Sequence, residues 1–178
     1  EAAVRQLNLL PGLHHSVSFT GGEPLLQAAA LATLATRLRA AGLRIYLETH
    51  GALPGQLAQL QGQLDIIAMD LKLPSSSGEE PMWEEHREFL EVRRAVHPHA
   101  DLFVKLVVDE NVRDEEIARA AELTAQQNGS IPFVIPPVTR FGEGGAPPSP
   151  ARVLELQALA ARVLPDVRVI PQTHKMID

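Results

Sequence analysis

Six short apolar runs, each but the last followed by a longer amphipathic stretch, set the frame for this chain. The runs fall at 15–20, 43–49, 64–73, 100–109, 131–137 and 167–172. Between them, residues 25–42, 55–63, 81–97, 112–127 and 151–164 place apolar side chains at helical spacing. Residues 25–42 are Ala-rich and close on Gly42, a candidate C′ glycine. Residues 112–127 carry acids early, as the helix dipole prefers. Residues 74–80 read as a polar loop, 139–150 as a Gly/Pro loop, and Glu1 to Leu10 as part of a helix.

Strand–helix alternation implies right-handed crossovers and a parallel sheet. At 178 residues the chain is too short for an eight-fold barrel of about 250 residues. A doubly wound sheet and a partial barrel both remain, as one domain over 1–178. In either, ligands sit at the C-terminal ends of the strands. Segments that follow the strands are therefore expected to converge on one rim. They are Thr20–Glu23, Glu48–His50, Asp70 with Lys72, Lys105 with Asp109, Thr139 with Arg140, and Gln172 with His174 and Lys175.

Thr20-Gly21-Gly22-Glu23-Pro24 stands out among these. Two glycines after a strand let a ligand approach the backbone amides, and Pro24 suits the first position of a helix. A tight strand-to-helix turn with a solvated Glu23 explains the same letters. Glu48-Thr49-His50-Gly51 reads either as a polar strand end facing a ligand or as a capped turn. Asp70 and Lys72 share a strand face by their period of two. They are a structural salt bridge or a ligand site; buried pairs rarely add stability outright, which favours the site. His14, His15, His97 and His99 show no metal-ligand spacing and read as unrelated surface histidines. The acidic runs at 79–80, 84–85 and 114–116 read as solvated helix starts.

Composition narrows the function classes. At 45% hydrophobic and 21% charged the chain has globular composition, and a net charge of −6 argues against broad nucleic-acid or anionic-membrane binding. No signal peptide is visible in EAAVRQLNLL, so a cytoplasmic location is expected. The chain opens on Glu1 rather than Met, and a preceding segment is expected. It has no cysteine, so it offers neither a disulfide nor a thiolate for zinc or iron.

The block from Thr20 to Leu26 resembles the GGEP motif of radical S-adenosylmethionine (SAM) enzymes. Tyr46-Leu47-Glu48-Thr49-His50-Gly51 is similar to their ETNG strand end. With DIIAMDLKLP (65–74), FVKLVV (103–108), residues 131–139 and VIPQTHK (169–175), the whole resembles the 7-carboxy-7-deazaguanine synthases; the PQTHK tail favours this branch over glycyl-radical activases. The resemblance implies a partial (β/α) barrel, SAM, a 4Fe-4S cluster, Mg2+, an external one-electron reductant and a homodimer, with no nucleic-acid or membrane partner. It implies conversion of 6-carboxy-5,6,7,8-tetrahydropterin to 7-carboxy-7-deazaguanine with loss of ammonia, through a 5′-deoxyadenosyl radical, in queuosine and related biosynthesis. By matching position, Thr20, His174 and Lys175 would contact the pterin. Gly21, Gly22, Glu23, Asp70, Lys72, Pro136 and Thr139 would contact SAM, Glu23 beside its ammonium. The chain departs from the family at several points: Asp70 stands where the family has a Ser, and the first strand and the magnesium-binding Thr are absent. The CxxxCxxC cluster motif is absent, His50 stands for the usual Asn, and Pro136 stands where a Gln is common. Another radical SAM activity and a cluster-free SAM- or purine-binding protein are the alternatives.

Overall fold

The computed structural model describes residues 14–127, 130–139 and 146–171. Six strands form one sheet: β1 (Val17–Phe19), β2 (Ile45–Thr49), β3 (Ile66–Asp70), β4 (Asp101–Lys105), β5 (Phe133–Ile135) and β6 (Val167–Val169). They pair in parallel in the order of the sequence, from β1 to β6. Order decides between the two architectures left open above. A doubly wound sheet reverses direction at a switch point. Here nothing reverses, so successive right-handed crossovers lay every helix on one face and the other face curves inward. The sheet is a partial barrel.

Among the described residues six helices connect the strands: α1 (Ala28–Ala40), α2 (Pro54–Ala58), α3 (Pro74–Ser77), α4 (Trp83–Val96), α5 (Asp114–Ala125) and α6 (Pro150–Ala160). A 3-10 turn, Pro24–Gln27, precedes α1, with Pro24 at its first position and Glu23 as its N-cap. Gly42 ends α1 at φ +78°, the left-handed conformation expected of a C′ glycine, and its N–H donates to Arg39 O.

The strands alternate as their pleat requires. Ile45, Leu47, Ile67, Met69, Leu102 and Val104 join the core against the helices. Tyr46, Glu48, Ile66, Ala68, Phe103 and Lys105 occupy the alternate positions and face the concave side. Register pairing carries each row across the sheet, with Glu48 beside Ala68 beside Phe103, and Asp70 beside Lys105 beside Val134. The rings of Tyr46 and Phe103 approach to 6.3 Å in a tilted pair. The concave face is thus aromatic and aliphatic low in the strands and charged at their C-terminal ends.

Three sequence expectations are corrected here. PSSS is not loop but a single helical turn, α3, bracketed by Pro74 at its start and Gly78 at φ +70°. Ser76 Oγ donates to Asp109 Oδ1 at 2.8 Å, and the Ser75 amide donates to Glu116 Oε1 at 3.2 Å. Asp109 is therefore a buried anchor for α3, and Glu116 is more than a solvated helix start. His97 is not a surface residue. It is 1% exposed and its Nε2–H donates to Leu57 O at 3.3 Å. His14, His15 and His99 are exposed, as expected.

His86 on α4 is also fully buried, with Nδ1 2.8 Å from Gly51 O. Burial holds both His86 and His97 below the ordinary imidazole value of 6.5, the carbonyl contacts opposing it only in part. The folded chain then binds fewer protons than the unfolded chain, so stability is complete above about pH 6.5 and falls as pH drops below it. The expected slope is up to about 1.4 kcal/mol per pH unit for each histidine. Urea unfolding at pH 7.5 and 5.5 measures it. His97→Gln keeps a donor near the Leu57 carbonyl and removes one titration, so it flattens the slope; an unchanged slope would contradict this account.

Candidate functional site

The Gly-Gly loop follows β1 and meets the end of β2. Gly21 and Gly22 sit at φ +91° and +54°, which an L side chain rarely adopts. A Cβ built on either meets nothing within 4 Å. The space above these two residues is open, and their backbone is accessible from it.

That space is a cleft of about 320 Å³, lined by Thr20, Gly21, Gly22, Glu48, Thr49, His50, Asp70 and Lys72. Three strand ends therefore contribute to one opening, out of the six expected to converge. A second cleft of about 370 Å³ shares Asp70 and Lys72 and continues past Leu71, Leu73, Ser76, Ser77, Lys105, Val107 and Val138. Pro136 is buried and hydrogen-bonded through its carbonyl to the Val108 amide, two residues from Val138. Thr139 is partly buried and follows Val138. His174, Lys175, Gln172 and Arg140 lie outside the described residues, as does Glu1 to Leu10.

Charged groups alternate in sign along the rim. Thr20 Oγ1 donates to Glu48 Oε2 at 3.0 Å. Lys105 Nζ donates to Glu48 Oε1 at 2.8 Å and stands 4.0 Å from Asp70 Oδ1. Lys72 Nζ donates to Asp70 Oδ2 at 2.7 Å. The last contact is the Asp–Lys pair foreseen in the sequence, and the strand register brings Lys105 into it. Four elements are tied by two carboxylates and two ammonium groups. Asp70 Oδ1 is buried and has no hydrogen-bond partner, since 4.0 Å to Lys105 is too long. A buried carboxylate oxygen left unmatched at a cleft wall suits a ligand that brings a hydroxyl or ammonium donor.

Glu23 lies behind this lining. Its side chain is only 8% exposed. Oε1 accepts from the Leu25 amide at 2.9 Å and from Thr49 Oγ1 at 2.9 Å. Oε2 accepts from the His50 amide at 2.9 Å, with His50 Nε2 at 3.3 Å. The Ala52 amide donates to His50 Nδ1 at 3.1 Å, so the neutral ring carries its proton on Nε2, toward Glu23. Glu23 is thus not a solvated turn residue. It fastens the glycine loop to the end of β2 and so holds the cleft in shape. Sequence reading passed over His86 entirely. The signal was its spacing, since His86 precedes Phe89 and Leu90 by three and four residues, which places it on the core face of α4.

A 7-carboxy-7-deazaguanine synthase of Geobacter sulfurreducens is 45% identical over 170 residues, 94% of this chain and 64% of the relative. Another of Methanopyrus kandleri is 34% identical over 167 residues, 92% of this chain and 60% of the relative. A third, of Koribacter versatilis, is 34% identical over 167 residues, 90% of this chain and 68% of its own length. The chain belongs to the 7-carboxy-7-deazaguanine synthase family. It spans 64% and 60% of the first two synthases' lengths. No family model matches the chain. A solved domain of the pyruvate-formate lyase-activating enzyme of Bacteroides vulgatus superposes with a TM-score of 0.68 over 88% of this chain and 99% of that domain. At 17% identity this likeness shows the fold alone.

The residues present can be tested against the groups this synthase family implies. The cleft offers open glycine backbone, an unmatched carboxylate oxygen on Asp70 and the Lys72 cation, groups whose chemistry suits SAM. A cysteine-ligated cluster does not fit these 178 residues, which contain no cysteine. Among the described residues, no three His, Cys, Asp or Glu side chains are grouped to hold a metal ion. No helix among them is long and apolar enough to cross a membrane.

Proposed function

We propose that this chain carries the SAM- and substrate-binding barrel of a 7-carboxy-7-deazaguanine synthase, acting on 6-carboxy-5,6,7,8-tetrahydropterin and releasing ammonia. The observation that carries the proposal is the joining of three motif segments, at 20–22, 48–50 and 70–72, in one cleft of polar lining. SAM, when bound, is the source of the 5′-deoxyadenosyl group that removes hydrogen from the substrate. Gly21 and Gly22 present backbone to it, Lys72 faces its carboxylate, and Asp70 Oδ1 accepts from its hydroxyl or ammonium donors. Thr20, which lines the first cleft, faces the pterin; His174 and Lys175 are assigned to the pterin only by their match to the family's tail. Pro136 and Thr139 lie on either side of Val138, which lines the second cleft, where the adenine would lie. Glu23 acts from behind, through Thr49 and His50. A cluster would have to be held by cysteines outside these residues, and Mg2+, the reductant and a homodimeric partner are likewise part of the proposal. Location in the cytoplasm and the absence of a nucleic-acid partner belong to it too.

The test is turnover. Joined to the cluster-holding cysteines that the proposal places outside these residues, reconstituted with iron and sulfide and given SAM and a one-electron reductant, the protein should convert the carboxy-tetrahydropterin to 7-carboxy-7-deazaguanine and ammonia, whereas the 178 residues alone should not. SAM binding without product, in protein with an intact cluster, would reject this synthase reading in favour of another radical SAM activity. A complete protein with no cluster motif would favour the plain binding protein.

Lys72→Ala separates binding from folding. The pair with Asp70 is part-exposed, with the Lys72 side chain 35% accessible, so its loss should cost about 1 kcal/mol of stability or less. SAM affinity should fall about tenfold or more, since a desolvated charge contact is lost. Calorimetry and urea unfolding on one preparation compare the two. A large loss of stability with affinity retained would restore a purely structural salt bridge.

A further inference from the structure

We propose that His86 is a positioning residue for the cleft, acting through the backbone of Gly51. This rests on the SAM reading of the cleft. His86 is fully buried on α4, and its single polar contact is Nδ1–H to Gly51 O at 2.8 Å. Its Nε2 has no partner. An imidazole buried with one nitrogen unmatched costs more than a leucine in the same place. The one bond it makes must therefore matter where it lands, and it lands on the turn that carries the cleft wall.

That turn is held from three sides. Met69 packs under Gly51 so closely that a Cβ there would lie 2.6 Å from Met69 Cγ. The Gly51 amide donates to Thr49 Oγ1 at 3.2 Å. Thr49 in turn donates to Glu23, which also takes the His50 amide and caps the 3-10 turn after the glycine loop. A continuous set of bonds therefore runs from α4 through Gly51 and Thr49 to Glu23 and the loop bearing Gly21 and Gly22. His50 and both glycines line the cleft at its end. The hydrogen bond of His86 goes to the Gly51 backbone, and it fixes the carbonyl from which the set begins.

The experiment compares His86→Leu with His86→Asn in the full chain. Asn places an amide N–H near the position of Nδ1, while Leu keeps bulk and removes the donor. In ligand-free protein, His86→Leu should speed hydrogen exchange at the His50, Gly51 and Ala52 amides about tenfold, with β4 amides unchanged. His86→Asn should recover most of that protection. Affinity for S-adenosylhomocysteine, read by calorimetry, should fall about tenfold in His86→Leu and return to within about threefold in His86→Asn. Unchanged exchange at those amides, an Asn variant no better than Leu, or altered exchange with unaltered affinity would each overturn the proposal. Wild-type protein that fails to bind S-adenosylhomocysteine strikes the reading of the cleft instead, and the exchange rates still judge the clamp on the turn.

Discussion

Gly51→Ala should destabilise the protein by about 3 kcal/mol. Two costs add at this position. Gly51 sits at φ +68°, where an L residue loses about 1–2 kcal/mol to the contact between Cβ and backbone. The added carbon would also lie 2.6 Å from Met69 Cγ and 2.7 Å from Met69 Cε, so the buried Met69 side chain must move, an overpacking cost of about 1–3 kcal/mol. Gly42→Ala is the control. It has the same left-handed backbone, at φ +78°, but open space around its Cβ, so only the first cost applies. Urea midpoints of the two variants measure the difference. Equal losses would show that Met69 yields freely and that the turn is not packed as described.

Gly22→Val should have the larger effect on ligand binding, a loss of SAM affinity of about a hundredfold or more, or about 2.7 kcal/mol. Gly22 is at φ +54°, and its Cβ would point into open cleft rather than into protein. The fold therefore bears only local backbone strain, on the order of 2 kcal/mol for a β-branched residue. The branched side chain would fill the space through which a ligand reaches the backbone of the loop. Calorimetry with SAM, on variant protein that still unfolds cooperatively, reads this directly. Retained affinity would mean that the ligand does not approach Gly22.

The strands were legible because each is a short apolar run bounded by turn residues, and the tertiary fold did not override them. Strand order was not legible. Helix-rich alternation suits both a reversing and a non-reversing sheet, and only the pairing of β1 through β6 in sequence separates them. The cleft was legible through the rule that parallel sheets bind ligands at strand ends. Its internal wiring was not. A glutamate after two glycines reads as exposed, and nothing local shows that Thr49 and His50, about 26 residues on, will enclose Glu23. Lys105 was visible as a charge in an apolar strand, but its pairing with Glu48 across β3 depends on register. α3 is one turn long, too short for periodicity, although Pro74 and Gly78 bracket it as a helix start and stop. His86 hid among the Glu and Arg residues of α4 until its spacing to Phe89 and Leu90 is counted.

The gathering of these segments around a single SAM-binding mouth is tested most directly by a crystal structure of the full chain grown with S-adenosylhomocysteine. The ligand should lie at the C-terminal ends of the strands, touching the backbone of Gly22, the Asp70 carboxylate and the Lys72 ammonium at once. A ligand seated instead at the opposite rim, beside Arg93 and His99, or one touching only a single one of the three segments, would contradict the account.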